Sequence, residues 1–366
     1  MAKILICGDF KASDISNVRI SERLKEAFAG AQLCICNFEV PIQGFGKPVK
    51  KSGPVHCQDA KAPVFLKQAG FNLFLTANNH IMDYGKEGCE ATLNALGRDN
   101  TVGSGNAKDA YALKIRVVDK SLVGVLSFVQ NEFGVVEHPA DVNGYGAAWV
   151  LSAVIEDLIK DARSKVDYLI VCPHAGVENI EAPLPEWRNV YRSFIDWGAD
   201  MVAASHPHVP QGWEVYKDRM ILYSLGNFYF DKFDGKKYFN TSLMVEVDFG
   251  ETISVTPHII NFENGFIDYS QDKADEKHLA KCNALLSNQI EYYRYIDKIC
   301  DKIYSGNVYG ILRGVCGLSF RVKPRLFFRL LAGMLLNKSD EMYLLNAFRC
   351  ESHRWVIQRA LQNKNR

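Results

Sequence analysis

The sequence predicts an α/β protein in which layered sheets are covered by helices, followed by an all-helical region. Apolar runs of strand length alternate with amphipathic runs of helix length up to about residue 212, and the pattern then turns to consecutive strands. After about residue 266 the apolar periodicity is helical. We therefore expect an α/β region over residues 1–265 and a helical region over residues 266–366.

The first part of the chain supplies strands and helices in alternation. Ser21 is a typical N-cap for the first helix, and Gly70 is a typical end for the second. The predicted strands are "KILICGD", "QLCICNFE", "FNLFLTANNH", "YALKIRVVD" and "LVGVLSFV", and the predicted helices are "SERLKEAFAGA", "PVFLKQAG" and "YGKEGCEATLNALG". The last two of these strands follow one another directly, so we expect them to pair.

The second part continues the alternation and then becomes β-rich. A long helix is predicted for "AAWVLSAVIEDLIKDARSKV" and another for "EWRNVYRSFIDWGA", each followed by a strand, "DYLIVCPH" and "DMVAASHPH". The stretch "WEVYKDRMILYSLGNF" predicts a hairpin that turns near Lys217 and Asp218, with strands "SLMVEVDF" and "ISVTPHIINF" after it. Helices are predicted for "ADEKHLAKCNALLSNQIEYYRYIDKICDKIY" and "DEMYLLNAFRCESHRWVIQRALQNK".

Composition excludes several classes of protein. The formal net charge of the 366 residues is +1, so no overall field attracts nucleic acid, and we expect no nucleic-acid partner. The ten cysteines form no C-x-x-C pair, and several lie in apolar strands, which is typical of reduced, packed thiols. The apolar run before Asp9 is too short for a signal peptide. These features predict a cytoplasmic protein.

A basic apolar stretch at residues 313–338 leaves two interpretations open. It holds six basic residues and no acidic residue, with Leu, Phe and Met between them. It could form an ordinary helix whose apolar stripe is core. Alternatively, its cations could make a peripheral contact with the inner membrane or hold a lipid-linked or polyanionic substrate.

Polar side chains follow five of the predicted strands, at the point where each strand ends. These side chains are Asp9, Glu39, Asn79 with His80, His174, and His206 with His208. Each could separately be a cap, a turn residue or a surface histidine. Because strands of an α/β sheet deliver their carboxyl ends to one edge, we expect the five groups to converge.

The converging side chains have the chemistry of a metal centre. Carboxylates, an amide and imidazoles without thiolates suit divalent Mn, Fe or Zn, as one ion or two. Two neighbouring ions can activate water for a phosphoryl displacement. His80 precedes Asp83 by three residues, a spacing that lets the carboxylate orient the imidazole as a candidate general acid.

Seven segments together resemble the bacterial capsule-synthesis proteins of the poly-gamma-glutamate type, a branch of the calcineurin-like metallophosphoesterases. They are "GD" at 8–9, "NFEVPI" at 37–42, "ANNHIMDYGKEG" at 77–88, "GSGNAKDA" at 103–110, "HAGVE" at 174–178, "SHPHVPQGWEVY" at 205–216 and "YSLGNFYFD" at 223–231. The resemblance implies a four-layer α/β/β/α sandwich with the metal site at the strand ends.

The resemblance also implies a role for each matched residue. Asp9 and His208 would bind one ion, Glu39 would bridge, and Asn79, His174 and His206 would bind the second. His80, oriented by Asp83, would be the acid or charge stabiliser. Asn78, Glu178 and Asn227 would support the site or contact substrate. Lys11 stands where the wider superfamily commonly has a histidine, so the first metal position lacks one imidazole, and its ammonium group would oppose a cation.

Three functions fit these observations. The first is a metal-dependent hydrolase acting on a phosphoester or another anionic group, small or polymeric, in capsule or polyanion assembly. The second is a non-hydrolytic accessory subunit of a capsule polymer ligase or export complex, with other capsule-assembly proteins as partners. The third is a nucleotide or sugar-phosphate phosphoesterase unrelated to capsules.

Overall fold

The structure is a computed structural model that describes residues 3–231, 235–249, 253–316 and 338–364. Its strands are β1 (Lys3–Lys11), β2 (Arg19–Ile20), β3 (Leu33–Phe38), β4 (Leu73–Leu75), β5 (Thr101–Val102), β6 (Ser104–Asn106), β7 (Lys114–Val118), β8 (Ser121–Val129), β9 (Val135–Val136), β10 (Tyr145–Ala148), β11 (Tyr168–His174), β12 (Met201–Ala203), β13 (Trp213–Tyr216), β14 (Arg219–Leu222), β15 (Asn227–Phe230), β16 (Thr241–Phe249), β17 (Ile253–Glu263) and β18 (Phe266–Tyr269).

The helices alternate with the strands in the first region and follow one another in the second. They are α1 (Glu22–Ala29), α2 (Ala62–Gln68), α3 (Gly85–Leu96), α4 (Ala107–Ala110), α5 (Ile155–Arg163), α6 (Pro185–Asp196), α7 (Lys273–Ser287), α8 (Gln289–Cys316), α9 (Lys338–Arg349) and α10 (Glu351–Lys364). Among the helices of the described ranges, none has both the length and the apolar character needed to cross a membrane.

Two large sheets form the middle of the molecule. One has nine strands in the order β2-β18-β17-β16-β1-β3-β4-β5, with β15 also paired to β1, and the other has six in the order β13-β14-β12-β11-β8-β7. Strands β1, β3 and β4 are parallel in the first sheet, and β8, β11 and β12 are parallel in the second. Each sheet therefore presents several carboxyl ends at one edge.

Three apolar layers separate four layers of secondary structure. Ile6 and Ile35 of the nine-stranded sheet pack against Val125 and Ile170 of the six-stranded sheet in one buried cluster. A second cluster lies between the nine-stranded sheet and helices α1 to α3, and a third lies between the six-stranded sheet and helices α5, α6, α8 and α10. The α/β/β/α sandwich is confirmed, and the C-terminal helices form part of its outer layer.

Most predicted strands and helices are confirmed. The prediction for one helix is wrong over about the first half of its length. The hairpin turns at Lys217 and Asp218, both at positive φ, and β7 pairs with β8. The long helix predicted from Ala147 begins only at Ile155, because β10 lies there instead and pairs with β6 and β9 in a small third sheet. Ala148 and Val150 are instead buried in the cluster between the six-stranded sheet and its covering helices.

The described C-terminal helices pack on the same fold, since side chains of α7, α8 and α10 belong to its buried clusters. The last strand of the nine-stranded sheet, β18, lies just past residue 265, where the sequence predicts the boundary. Each of the two helices predicted after residue 266 is divided into two helices in the structure. The first is interrupted at Asn288 and the second at Cys350. Residues 317–337, which hold most of the basic apolar stretch at 313–338, lie outside the described residues, and so do the side chains of the rest of it.

Candidate metal centre

Asp9, Glu39 and His208 bring one ligand atom each to a single buried point. These atoms all lie within 4.8 Å of one another. The Nδ1 of His208 is 3.5 Å from Asp9 Oδ2, and its Nε2 is 3.6 Å from Glu39 Oε1. Asp9 is in β1 and Glu39 directly follows β3, so the parallel pairing of these strands places the two carboxylates together.

Glu39 is the most unusual member of this group. Its side chain is 0% exposed, and neither carboxylate oxygen accepts a hydrogen bond from any residue that the structure describes. Burial of the carboxyl group is the main cause that raises the pKa of Glu39 well above its usual range, and the charge of Asp9 is the next largest cause. A buried carboxylate without donors is costly on its own, and a bound cation would offset that cost.

Asn227 determines which nitrogen of His208 can bind a cation. The amide nitrogen of Asn227 donates to two backbone oxygens, of His208 at 3.1 Å and of Phe239 at 2.9 Å, so its Oδ1 is the atom that faces His208 Nδ1, at 2.9 Å. An oxygen can only accept, so Nδ1 carries the proton. The lone pair of Nε2, on the side of Glu39, is therefore available to a metal.

Asn79, His174 and His206 form a second, uncharged group next to the first. The Nε2 of His174 is 3.0 Å from Asn79 Oδ1 and 3.2 Å from His206 Nδ1. Adjacent ligands of a tetrahedral ion bound at about 2.0–2.1 Å would be separated by roughly 3.3 Å. Burial lowers the pKa of both imidazoles, that of His174 well below its usual value, so both are neutral near pH 7.

The backbone around these ligands is strained or unusually close. His206 and His208 have φ of 97° and 60°, a region that side chains other than glycine rarely adopt. A Cβ at Gly8 would lie 1.9 Å from the backbone oxygen of Gly226, so the "GD" segment requires glycine before Asp9. The surrounding contacts must offset the cost of this backbone conformation, which is typical of functional sites.

His80 and Asp83 are joined as the sequence spacing predicts, and a lysine joins them. The Nδ1 of His80 is 2.7 Å from Asp83 Oδ2. Lys51, whose side chain is 3% exposed, ion pairs with the other oxygen of Asp83 and lies 3.0 Å from His80 Nδ1. The carboxylate therefore lies between a buried ammonium group and an imidazole, which fixes its position and that of His80.

The structure places the remaining predicted site residues around this centre. Asn78 accepts from the backbone N–H of His80 at 3.2 Å and donates to Phe38 O at 3.0 Å. Glu178 lines a cleft beside His206. Lys11 ion pairs with Asp231 and donates to Ser13 Oγ at 2.7 Å, so its charge is compensated.

Four residues of the centre are missing from the sequence prediction. Asn37 donates to Asp9 Oδ1 at 2.7 Å and lies 3.1 Å from His174 Nδ1, and Gln130 Nε2 is 2.9 Å from His206 Nε2. Glu132 is 3.4 Å from Asn79 Nδ2. Gln130 directly follows β8 and Glu132 comes two residues later, so the strand-end rule could have found them; Lys51 comes from a loop and carries no such signal.

The residues present fit a divalent metal. Two carboxylates, one of them buried without donors, an amide oxygen and neutral imidazoles are a donor set for borderline or hard ions. The class that fold and site define is an α/β/β/α sandwich with a candidate divalent-metal site at its strand ends.

The comparison with protein families is more specific. The chain belongs to the family "Bacterial capsule synthesis protein PGA_cap", whose family model matches residues 6–232. Every candidate ligand and the His80–Asp83 pair lie inside this match.

Two curated relatives and one solved structure illustrate the similarity. The PGA biosynthesis protein CapA of Bacillus subtilis (strain 168) is 32% identical over 228 residues, 58% of this chain and 57% of that protein. The Mycobacterium tuberculosis (strain ATCC 25618 / H37Rv) protein named "Probable polyglutamine synthesis accessory protein" is 27% identical over 211 residues, 53% of this chain and 54% of that protein. A 5'-nucleotidase from Candida albicans SC5314 superposes with a TM-score of 0.42 and 13% identity, covering 77% of this chain and 56% of that one. The chain spans about half the length of the curated relatives it matches.

We expect Glu39→Gln to stabilise the metal-free protein and to weaken its metal binding. The amide keeps the volume of the side chain and removes the buried charge, a gain of roughly 1–3 kcal/mol. The pKa of Glu39 is higher in the folded than in the unfolded protein. The wild type therefore loses folding stability as the pH rises above the ordinary carboxyl pKa. Thermal unfolding with chelator between pH 5 and 8 should show this loss in the wild type and not in the variant.

The matched control is Glu26→Gln, which removes an exposed carboxylate on helix α1. Added Mn²⁺ should raise the unfolding temperature of this control as much as that of the wild type, and that of Glu39→Gln by less. Equal pH dependence and an equal metal response in wild type and Glu39→Gln would show that Glu39 is no ligand.

Proposed function

We propose that this protein is a metal-dependent hydrolase that cleaves a phosphoester, or another anionic group, in capsule or polyanion biosynthesis. The observation that supports it most is the buried Glu39 carboxylate without donors, within reach of Asp9 and His208. The capsule context comes from family membership and from the name of the Bacillus subtilis relative. The substrate would be an anionic small molecule or polymer.

In this proposal two groups of residues hold one or two divalent ions, which we take to be Mn, Fe or Zn. Asp9, Glu39 and His208 would form one group, and Asn79, His174 and His206 the other. The metal would supply an activated water and neutralise charge on the anionic substrate. The chain would contribute position: Asn227 holds His208, Asn37 holds Asp9, and Glu132 lies beside Asn79.

His80 would act on the leaving oxygen. Its Nδ1 is engaged by Asp83, so Nε2 is the atom left to protonate that oxygen or to stabilise its charge. Lys51 would hold Asp83 in place through their ion pair. The pair would then work without a large rearrangement of either side chain.

The test is hydrolysis by protein stripped with chelator and reloaded with Mn²⁺, Fe²⁺ or Zn²⁺, across phosphomonoesters and phosphodiesters. We expect phosphate or alcohol release with metal, and none above background without it. The panel should include nucleotides and sugar phosphates, because rapid turnover of these alone would favour a phosphoesterase unrelated to capsules.

A second candidate is a non-hydrolytic accessory subunit that works with other capsule-assembly proteins. The name of the Mycobacterium tuberculosis relative favours it, and so does Lys11, which leaves the first group without an imidazole at that position. Metal binding without turnover of any ester in the panel would support this second function over the first.

A further inference from the structure

The C-terminal helices form one wall of the cleft that opens onto the candidate metal centre. This cleft has a volume of about 280 Å³, near the lower end of the roughly 300–1,000 Å³ of small-molecule sites. One side consists of Glu132, residues 176–179 and His206. The opposite side consists of side chains from α8, α9 and α10.

The two walls differ in chemistry. The wall near the centre carries two carboxylates and a candidate ligand, His206. The helical wall is largely apolar and comprises Ile303, Tyr304, Tyr343, Ala347, Val356 and Ile357, with His353 as its basic group. A ligand that spans the cleft therefore meets polar groups at one end and hydrocarbon at the other.

The helical wall is fixed to the centre by buried hydrogen bonds at the start of α10. Ser352, 1% exposed, accepts from Trp187 Nε1 at 2.8 Å and lies 2.7 Å from Gln130 Oε1. The amide nitrogen of the same Gln130 contacts His206. The wall and the candidate ligand therefore share a partner.

Glu351 strengthens the same attachment. Its carboxylate is 0% exposed and accepts from the backbone N–H of Asn131 and from Trp149 Nε1, both at 2.8 Å. Hydrogen bonds to a buried charged group are among the stronger ones in proteins. These hydrogen bonds thus fix the position of the helical wall relative to the candidate metal centre.

We propose that the substrate is an amphiphile: an anionic group held at the metal centre and a short hydrocarbon chain that lies against the helical wall. This rests on the proposed function and adds to it the chemical class of the substrate. Continuity of the cleft with the centre supports this occupant, because a purely polar substrate would leave the apolar side chains facing water.

The test uses alkylphosphonates, which present the anionic group and are not hydrolysed, binding to the Mn²⁺-loaded full chain in a calorimeter. Each buried methylene should tighten binding roughly threefold to fourfold. Allowing for the ordering of the chain, hexylphosphonate should bind at least about thirtyfold more tightly than methylphosphonate. In Ile357→Asn and in Tyr343→Ser this gain should shrink severalfold, while methylphosphonate binds as before.

Leu361→Asn is the matched control, since Leu361 is a half-exposed residue one turn beyond Ile357 on α10 and does not line the cleft. If methylphosphonate binds in a metal-dependent way and hexylphosphonate binds no more tightly, the proposal of an amphiphilic substrate is wrong and the hydrolase proposal is unaffected. No phosphonate binding at all to the loaded protein would overturn both. A hexyl gain that survives in both wall variants would also overturn the assignment of this wall.

Discussion

Replacing His174 and His206 together by alanine should remove the divalent ion that the Asn79 group holds. Both imidazoles are buried and neutral near pH 7, so they can bind a cation with little proton release. His174 Nε2 lies 3.0 Å from Asn79 Oδ1 and 3.2 Å from His206 Nδ1. Elemental analysis of purified protein should show the metal content falling by about one ion per chain.

The control is the double variant His138→Ala with His258→Ala, which removes two imidazoles that lie outside the centre. It should keep the metal content of the wild type. If the His174 and His206 variant retains as much metal as this control, the assignment of the neutral group as ligands is wrong. Circular dichroism of both variants would establish that the sandwich is intact.

The convergence of the site could be predicted because it follows from sheet geometry. A strand that ends in Asp9 and one that ends just before Glu39 are parallel neighbours, so their polar ends must meet. The same holds for His174 and the segment with His206, since β11 and β12 are parallel in the other sheet. The meeting of the two sheets is visible in the contact of Asn37 with His174.

The parts that could not be predicted depend on contacts between distant segments. Lys51 lies in a loop without regular structure, and no sequence period relates it to Asp83. Ser352 and Glu351 reach the centre from more than 200 residues away along the chain, through Gln130 and Asn131. Only tertiary packing brings such residues together, so the pattern of apolar positions in the sequence does not predict these contacts.

The helix predicted from Ala147 shows a different limit. Its apolar residues repeat with a helical period, yet β10 uses the backbone of Tyr145 to Ala148 in a sheet with β6 and β9. The next residue, Trp149, donates its backbone N–H to Val136 O and Tyr111 OH, which continues the bridging to neighbouring segments beyond β10. Pairing partners elsewhere in the chain decide the structure of a short apolar run more strongly than its own period.

The His80→Ala variant should keep the fold and the metal but lose hydrolysis by roughly a hundredfold or more, the usual effect of removing a general acid. The imidazole belongs to neither candidate ligand group, and its Nδ1 is held by Asp83 at 2.7 Å, so its removal should leave the ligand atoms in place. Asp83→Asn should lose less, because the imidazole remains and only its orientation is weakened.

Activity and metal content must be measured on the same preparations of wild type, His80→Ala and a His138→Ala control. A hydrolase in which His80 acts on the leaving oxygen requires that activity falls while metal content does not. Loss of both would mean that His80 helps to hold the ion. Equal and very slow reaction of wild type and variant across all esters would favour the accessory function, because a subunit that binds without cleaving has no use for a proton donor. In that case His80, Asp83 and Lys51 would serve recognition of an anion, and binding of methylphosphonate to His80→Ala would fall instead.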